Sequence, residues 1–402
     1  MREEAIAYLR QKAPKAMLSC QKEAFSLPDG LHYLNCAYMS PLSKSVEEAG
    51  VEAMKGKRNP TGVHPEDFFS LPKQVKSRFS RLIGSSSTDS VSLLPSVSYG
   101  IATAARNLTP RPGQNIVVLH EQFPSNIYTW MKLAEDYDLE IRTIFRPNTT
   151  GSVQQAWNEA ILSAIDDETL VAALPIVHWT DGTLFDMASI AKKTRETGAA
   201  LVLDGTQSIG ALPFNVADIR PDALIVAGYK WLFGPYSCGF AWWGDRFLDG
   251  MPLEENWINR RGSENFAGLV DYETAYQPGA TRFDVGEKSN FFLMPMLGAA
   301  LDQVLEWTPE GIQAWNEALL SPFEDDIREM GFGLQPKNER GAHLFGLRMP
   351  AGVEVAEVRT SLADRNVSVS VRGTAIRVAP NVYNNADDMT AFVDALRAVI
   401  RR

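Results

Sequence analysis

The sequence predicts an α/β protein built on a large, mostly parallel sheet, with a smaller α+β domain after it. Between Ser90 and Trp243, short β-branched and aliphatic runs alternate with helical stretches, the pattern of strands joined by crossover helices. Several runs end in polar residues, as buried parallel strands do where they deliver functional side chains at their carboxyl ends. A chain of 402 residues, 45% of them hydrophobic, can fill a large core and still supply a second domain.

The most informative stretch is Leu201-Val202-Leu203-Asp204-Gly205-Thr206-Gln207-Ser208, followed after another apolar run by Ala227-Gly228-Tyr229-Lys230-Trp231. A carboxylate, an amide and an amine are thereby set on neighbouring strand ends. Taken singly, an Asp there reads as a helix N-cap and a Lys as a solvated cap. Together they suit a pyridoxal phosphate site, with Lys230 as the Schiff-base nucleophile and Asp204 paired to the pyridinium nitrogen. The wider wording, Asp204-Gly205-Thr206-Gln207-Ser208-Ile209-Gly210 and Ala227-Gly228-Tyr229-Lys230-Trp231-Leu232-Phe233-Gly234-Pro235, resembles the cofactor-binding signature of class V aminotransferase-fold enzymes. That group holds the cysteine desulfurases, kynureninase and isopenicillin N epimerase. The resemblance runs from about Tyr33 to the C-terminus. It implies pyridoxal 5'-phosphate as cofactor and the fold-type I architecture, with a seven-stranded, mostly parallel sheet flanked by helices. The implied domains are an N-terminal helix and linker (1–30), a large cofactor-binding domain (31–290) whose first segment packs near the small domain, and a small C-terminal domain (291–402).

Composition narrows the partners. A net charge of −10 leaves no basic footprint for nucleic acid or an anionic membrane surface. The N-terminus carries acidic residues and no uninterrupted apolar core, and no stretch approaches the roughly 20 apolar residues of a membrane helix. Cys20, Cys36 and Cys238 are odd in number, far apart and without metal-ligand spacing, so a reducing cytoplasm and no metal are expected.

In chain order, Tyr33 to Leu42 resembles a family segment that passes close to the substrate. Asn35 is the pocket candidate there, against the equal alternative of a strand that only braces the small domain. The first run, Val91 to Leu94, leads through Pro95-Ser96-Val97-Ser98 into a helix. Hydroxyls and free backbone N–H groups at a positive helix end suit a phosphate, and the position matches the family's phosphate-cradling turn, which singles out Ser96, Val97 and Ser98. No Gly-x-Gly-x-x-Gly occurs, which argues against a nicotinamide or flavin cofactor. After the second run, Ile116 to Leu119, the resemblance makes Phe123 the side chain stacked on the pyridine ring. Ile141 to Phe145 and Leu170 to Leu174 follow, and the latter leads to His178 and Trp179. His178 is a candidate contact for cofactor or substrate, although a lone His is more often structural. Trp179 is expected to narrow the pocket or meet the substrate. At the ends of Ala200 to Leu203 and Ala223 to Val226 the resemblance gives Gln207 to the phenolic oxygen, Tyr229 to the phosphate and Lys230 to the cofactor aldehyde. Gly239 to Trp243 is the seventh run.

Gln277 to Glu287 resembles a loop that reaches the partner subunit's site, which implies a homodimer with shared sites. Where desulfurases carry a threonine, Glu287-Lys288-Ser289-Asn290 stands here, and Ser289 is the nearest substitute for a phosphate contact across the dimer. The C-terminal domain has strand candidates at Leu344 to Met349, Val367 to Val371 and Ala375 to Val378. Arg377, matching the family's arginine strand, is suited to grip an α-carboxylate. Arg372 lies five residues earlier, on the opposite face of an unbroken strand, but Gly373 intervenes.

These residues describe the labilisation of an amino acid at Cα. A desulfurase also needs a mobile cysteine just before the carboxylate-binding arginine, and Val367 to Thr374 has none. Phe123 and Tyr229 resemble the kynureninase side of the family, so a lyase acting at Cβ, by C–S cleavage or kynureninase-like hydrolysis, is the first expectation. Aminotransfer is second and epimerisation third. A binding-only regulator domain would usually bring a DNA-binding helix pair and a basic face, and the first 30 residues are too short and not basic enough for that.

Overall fold

The computed structural model describes residues 18–401. Of the helix and linker expected over residues 1–30, residues 1–17 lie outside the described residues, and the remainder contains one 3-10 turn, Lys22–Ala24. The strand β1 (His32–Tyr33) comes before the large sheet. That sheet contains β2 (Val91–Leu94), β3 (Asn115–Leu119), β4 (Glu140–Ile144), β5 (Thr169–Pro175), β6 (Ala200–Asp204), β7 (Ala223–Ala227) and β8 (Gly239–Trp243). Five short strands follow: β9 (Gly333–Leu334), β10 (Phe345–Arg348), β11 (Val367–Ser368), β12 (Ser370–Arg372) and β13 (Ala375–Val378).

All seven strands of the large sheet coincide with the apolar runs of the sequence, within a residue or two. Their spatial order is β2-β8-β7-β6-β5-β3-β4, with β8 antiparallel to both neighbours and the other pairings parallel. Except at the edge strand β4, both faces are largely buried, which is why these strands read as continuous apolar runs rather than alternating ones. Leu201 and Leu203 of β6 join one core with Val117 and Leu119 of β3, while Val202 joins the core on the other face with Ile116 and Val118. The crossover helices are punctuated as the sequence suggests. Met187–Thr197 is capped by Asp186, whose side chain accepts from Ser189 N, and it stops at Gly198 with a left-handed φ of 79°.

The C-terminal domain is a four-stranded antiparallel sheet, β12-β13-β10-β9, backed by helices Val355–Ala363 and Ala386–Ile400. The β1 strand pairs in parallel with β11, so the segment that opens the chain braces the C-terminal domain. One boundary shifts. Helix Leu293–Trp307, counted by sequence with the C-terminal domain, packs on helices Lys44–Gly56 and Asp67–Leu82, and its Leu297 and Leu301 belong to the large-sheet core. Its apolar face is wide enough to serve either domain, and sequence periodicity cannot say which one it faces. Among the described residues no helix is long and apolar enough to cross a membrane.

The turn after β5 is tied directly to the C-terminal domain. Leu184 N donates to Glu339 O at 2.9 Å, Gly341 N to Gly182 O at 3.1 Å, and Gly346 N to Asp181 O at 3.0 Å. Gly182 has φ of 81°, and a Cβ there would collide with the carbonyl oxygen of Leu344. Gly182→Ala should therefore cost about 2–3 kcal/mol of stability, read as a lowered midpoint in chemical unfolding.

Candidate active site

The carboxyl ends of β2, β3, β5, β6 and β7 surround one cavity of about 310 Å³. Parallel strands can offer side chains only where pairing stops, so this edge is where the sheet becomes reactive. Asp204 ends β6, and Lys230 follows β7 through Gly228 and Tyr229. Both line the cavity and both are buried. Burial raises the pKa of Asp204, against hydrogen bonds from Thr206, whose backbone N–H reaches Oδ1 at 3.0 Å. Burial, and then the charge of Arg377, pull Lys230 down to about 8. Its Nζ stands 5.2 Å from the centre of the Phe123 ring and 5.5 Å from that of Tyr229.

Gln207 is held in one orientation. Its Oε1 accepts from Trp231 Nε1 at 2.9 Å and its Nε2 donates to Ala37 O at 3.1 Å, which leaves one amide hydrogen without a protein partner. Behind it, His343 meets Gln207 O through Nε2 at 2.8 Å and Gln313 Nε2 through Nδ1 at 2.8 Å. Burial drops the His343 pKa to about 4, so the ring is neutral and Nε2 is the donor. On the opposite wall Ser96 caps helix Val97–Arg106 by accepting from Tyr99 N at 3.2 Å, and its Oγ lies 2.9 Å from Ser98 Oγ. That helix end offers two hydroxyls and free N–H groups to an anion.

The structure thus brings Ser96, Val97, Ser98, Phe123, Trp179, Asp204, Gln207, Tyr229 and Lys230 together around the cavity. The other four expected residues, His178, Ser289, Asn35 and Arg377, are not in its lining. His178 is 1% exposed and outside the lining. Its Nδ1 meets Thr180 Oγ1 at 2.8 Å and its Nε2 meets His120 O at 3.3 Å, so it braces the turn and contacts no ligand space. Ser289 is buried in another hollow, between Phe68, Trp257 and Phe291, and donates to Phe68 O. That hydroxyl donates within its own chain. Asn35 sits one layer back, where Oδ1 accepts from Ser370 Oγ at 2.8 Å. Ser370 in turn accepts from Arg377 Nη2 at 3.5 Å, so Asn35 positions the arginine and does not line the cavity.

Arg377 itself is 1% exposed and forms no ion pair among the described residues. Nη1 donates to Trp179 O at 3.1 Å, and Nε is buried without a partner. The sequence reading passed over Gln122 and Asn126. Both line the cavity, and Gln122 Oε1 and Asn126 Nδ2 are buried without partners. Their signal was a pair of amides bracketing Pro124 beyond a strand end, visible only once the loop is known to fold inward.

The sequence profile described as aminotransferase class-V matches residues 48–397. The chain belongs to the class V aminotransferase family. A Bacillus subtilis protein described as an uncharacterized aminotransferase, YcbU, is 25% identical over 81% of this chain and 82% of its own. The kynureninase of Burkholderia mallei is 28% identical over 80% of this chain and 76% of its own. Among solved structures, the cysteine desulfurase of Thermococcus onnurineus superposes with a TM-score of 0.80 at 19% identity, covering 96% of this chain and 100% of that one. The cystine C–S lyase C-DES, in complex with cysteine persulfide, gives 0.79 at 16% identity over 92% and 97% of the two chains.

As a class V enzyme it uses pyridoxal phosphate, and the residues present fit that group. Asp204 would hold the ring nitrogen, whose positive charge offsets the burial that otherwise favours the neutral acid. The free hydrogen of Gln207 suits the phenolic oxygen, Phe123 the ring face, and the Ser96–Ser98 turn the phosphate. Because only the neutral amine is a nucleophile, uptake of the cofactor by the apoprotein should quicken about tenfold per pH unit and level off near pH 8. An unshifted lysine would keep the rate rising to about pH 10.4, and stopped-flow absorbance separates the two.

Proposed function

We propose that this class V enzyme is a lyase that breaks a bond at Cβ of an amino acid, by C–S cleavage or kynureninase-like hydrolysis. The observation that carries the reading is the isolation of Lys230 as the cavity's proton carrier. Burial pushes Tyr229 up and Cys238 up to about 12, away from neutral pH, and Asp204 is assigned to the ring nitrogen, which leaves Lys230, near 8, for proton transfer at neutral pH. The bound cofactor supplies the electron sink that makes the Cα proton acidic. In an elimination, Lys230 takes that proton, the freed electron pair forms the Cα–Cβ double bond, and the Cβ substituent leaves with its own bonding pair. The same ammonium returns the proton to the departing group. Arg377 would grip the α-carboxylate and Trp179 would bound the side chain.

A persulfide relay has little support. The β12–β13 hairpin turns on Gly373 and Thr374 alone, which leaves no loop for a sulfur carrier. Cys36 is buried, with Asn381 Nδ2 3.2 Å from its sulfur, and burial pushes its thiol up to about 12. Aminotransfer is the second reading, because Lys230 could return the proton to another carbon, and the Bacillus relative carries that activity in its description.

A homodimer is part of the proposal. Tyr272, 95% exposed, and Val270, 79% exposed, lie beside the loop expected to reach the partner. Sedimentation should therefore give about twice the 44.5 kDa of the chain.

The reaction is tested by following the cofactor absorbance with amino acids that bear a good leaving group at Cβ, in the absence of a keto-acid acceptor. A lyase recovers its spectrum while product accumulates over many turnovers. An aminotransferase converts once per site and stops, which would overturn the first reading. Lys230→Ala should lower turnover at least about 100-fold in either case.

A further inference from the structure

The β12–β13 hairpin carries more positive charge than one α-carboxylate can neutralise. Ser370 pairs across it with Arg377, and Arg372 with Ala375. Cross-strand partners share a face, as do residues two apart on one strand, so Ser370, Arg372 and Arg377 all point the same way. Both guanidinium groups lie against one ring, with Arg372 Cζ 5.3 Å and Arg377 Cζ 5.8 Å from the centre of Trp179. Trp179 lines the cavity beside Phe123 and Lys230.

Neither arginine has an acidic partner among the described residues. Arg372 donates to Val371 O at 2.7 Å, and Arg377 to Trp179 O and Ser370 Oγ, all neutral acceptors. The Nε of each is buried and unpartnered. Glu121, whose carboxylate lies against Gly373, forms no ion pair with either. Burial and then the neighbouring Arg372 pull Arg377 down to about 9, as expected of like charges held side by side. The cofactor's phosphate is assigned to the Ser96–Ser98 helix end, at a different strand, so it does not supply the missing anion.

We infer that Arg372 and Arg377 form a paired anion site, and that the substrate is an amino acid whose side chain carries a second acidic group. This rests on the amino-acid reading of the site proposed above. One carboxylate occupies Arg377, and without a second anion Arg372 keeps only the face of Trp179 and the neutral carbonyl of Val371. A charge-assisted contact outweighs that cation–π contact, so an arriving dianion displaces the indole from the guanidinium groups.

Matched pairs on the holoenzyme test this: succinate against butyrate by calorimetry, and L-glutamate against L-norvaline by the shift in cofactor absorbance. The diacid of each pair should bind about 10- to 100-fold more tightly. Arg372→Leu should bring that ratio to about one, and Arg372→Lys should keep part of it. Diacids should also change the indole fluorescence, and Trp179→Phe should abolish the change. Unaltered circular dichroism would show that each variant is folded. Equal affinities within the pairs, or an Arg372→Leu that weakens both members alike, would sink this inference alone. Failure of every amino acid to alter the cofactor band would sink the amino-acid reading with it.

Discussion

A sheet buried on both faces can present polar groups only where its strands stop, and this constraint organises the whole molecule. Five strands that run in the same direction end around the same hollow, and each end contributes one kind of chemistry. The end of β6 supplies an acid and an amide, that of β7 an amine, that of β3 a flat ring, and that of β2 a helix N-terminus. The end of β5 differs, because its turn is bonded to the C-terminal domain through Asp181, Gly182 and Leu184. Trp179 and Arg377 therefore belong to one rigid junction although they come from different domains.

Burial sets the electrostatics of that hollow. It raises the acid at Asp204 and lowers the amine at Lys230, bringing both towards neutrality. Arg372 and Arg377 add positive charge, so the region is a field shaped for anions. The neutral Trp231–Gln207–His343–Gln313 chain fixes orientation without adding charge. Donors locked in place beforehand need little reorganisation when a ligand arrives.

The large sheet was legible because strands buried on both faces leave long apolar runs, and the lysine and aspartate were legible because they follow such runs directly. Contacts made through the third dimension were not. Arg372 and Arg377, five positions apart, look opposed on a straight strand, yet a two-residue turn at Gly373 and Thr374 folds them onto one face. For Asn35 a place in the pocket and a place in a bracing strand are equal readings of its neighbourhood, and Ser370 stands between it and the arginine. His178 and Ser289 carry reactive atoms in family-like positions and spend them on carbonyl and hydroxyl groups of their own chain. Sequence reveals which atoms a residue owns, and only packing reveals which of them are already engaged.

The unpartnered Nε atoms of Arg372 and Arg377, with the buried Lys230, make the empty fold carry a burden that ligands relieve. Whatever neutralises these groups binds the native state alone and deepens its well by mass action. The consequence lies in cell physiology. When the cofactor is scarce, a larger share of chains opens and meets proteases, so the steady-state amount of enzyme falls with its supply.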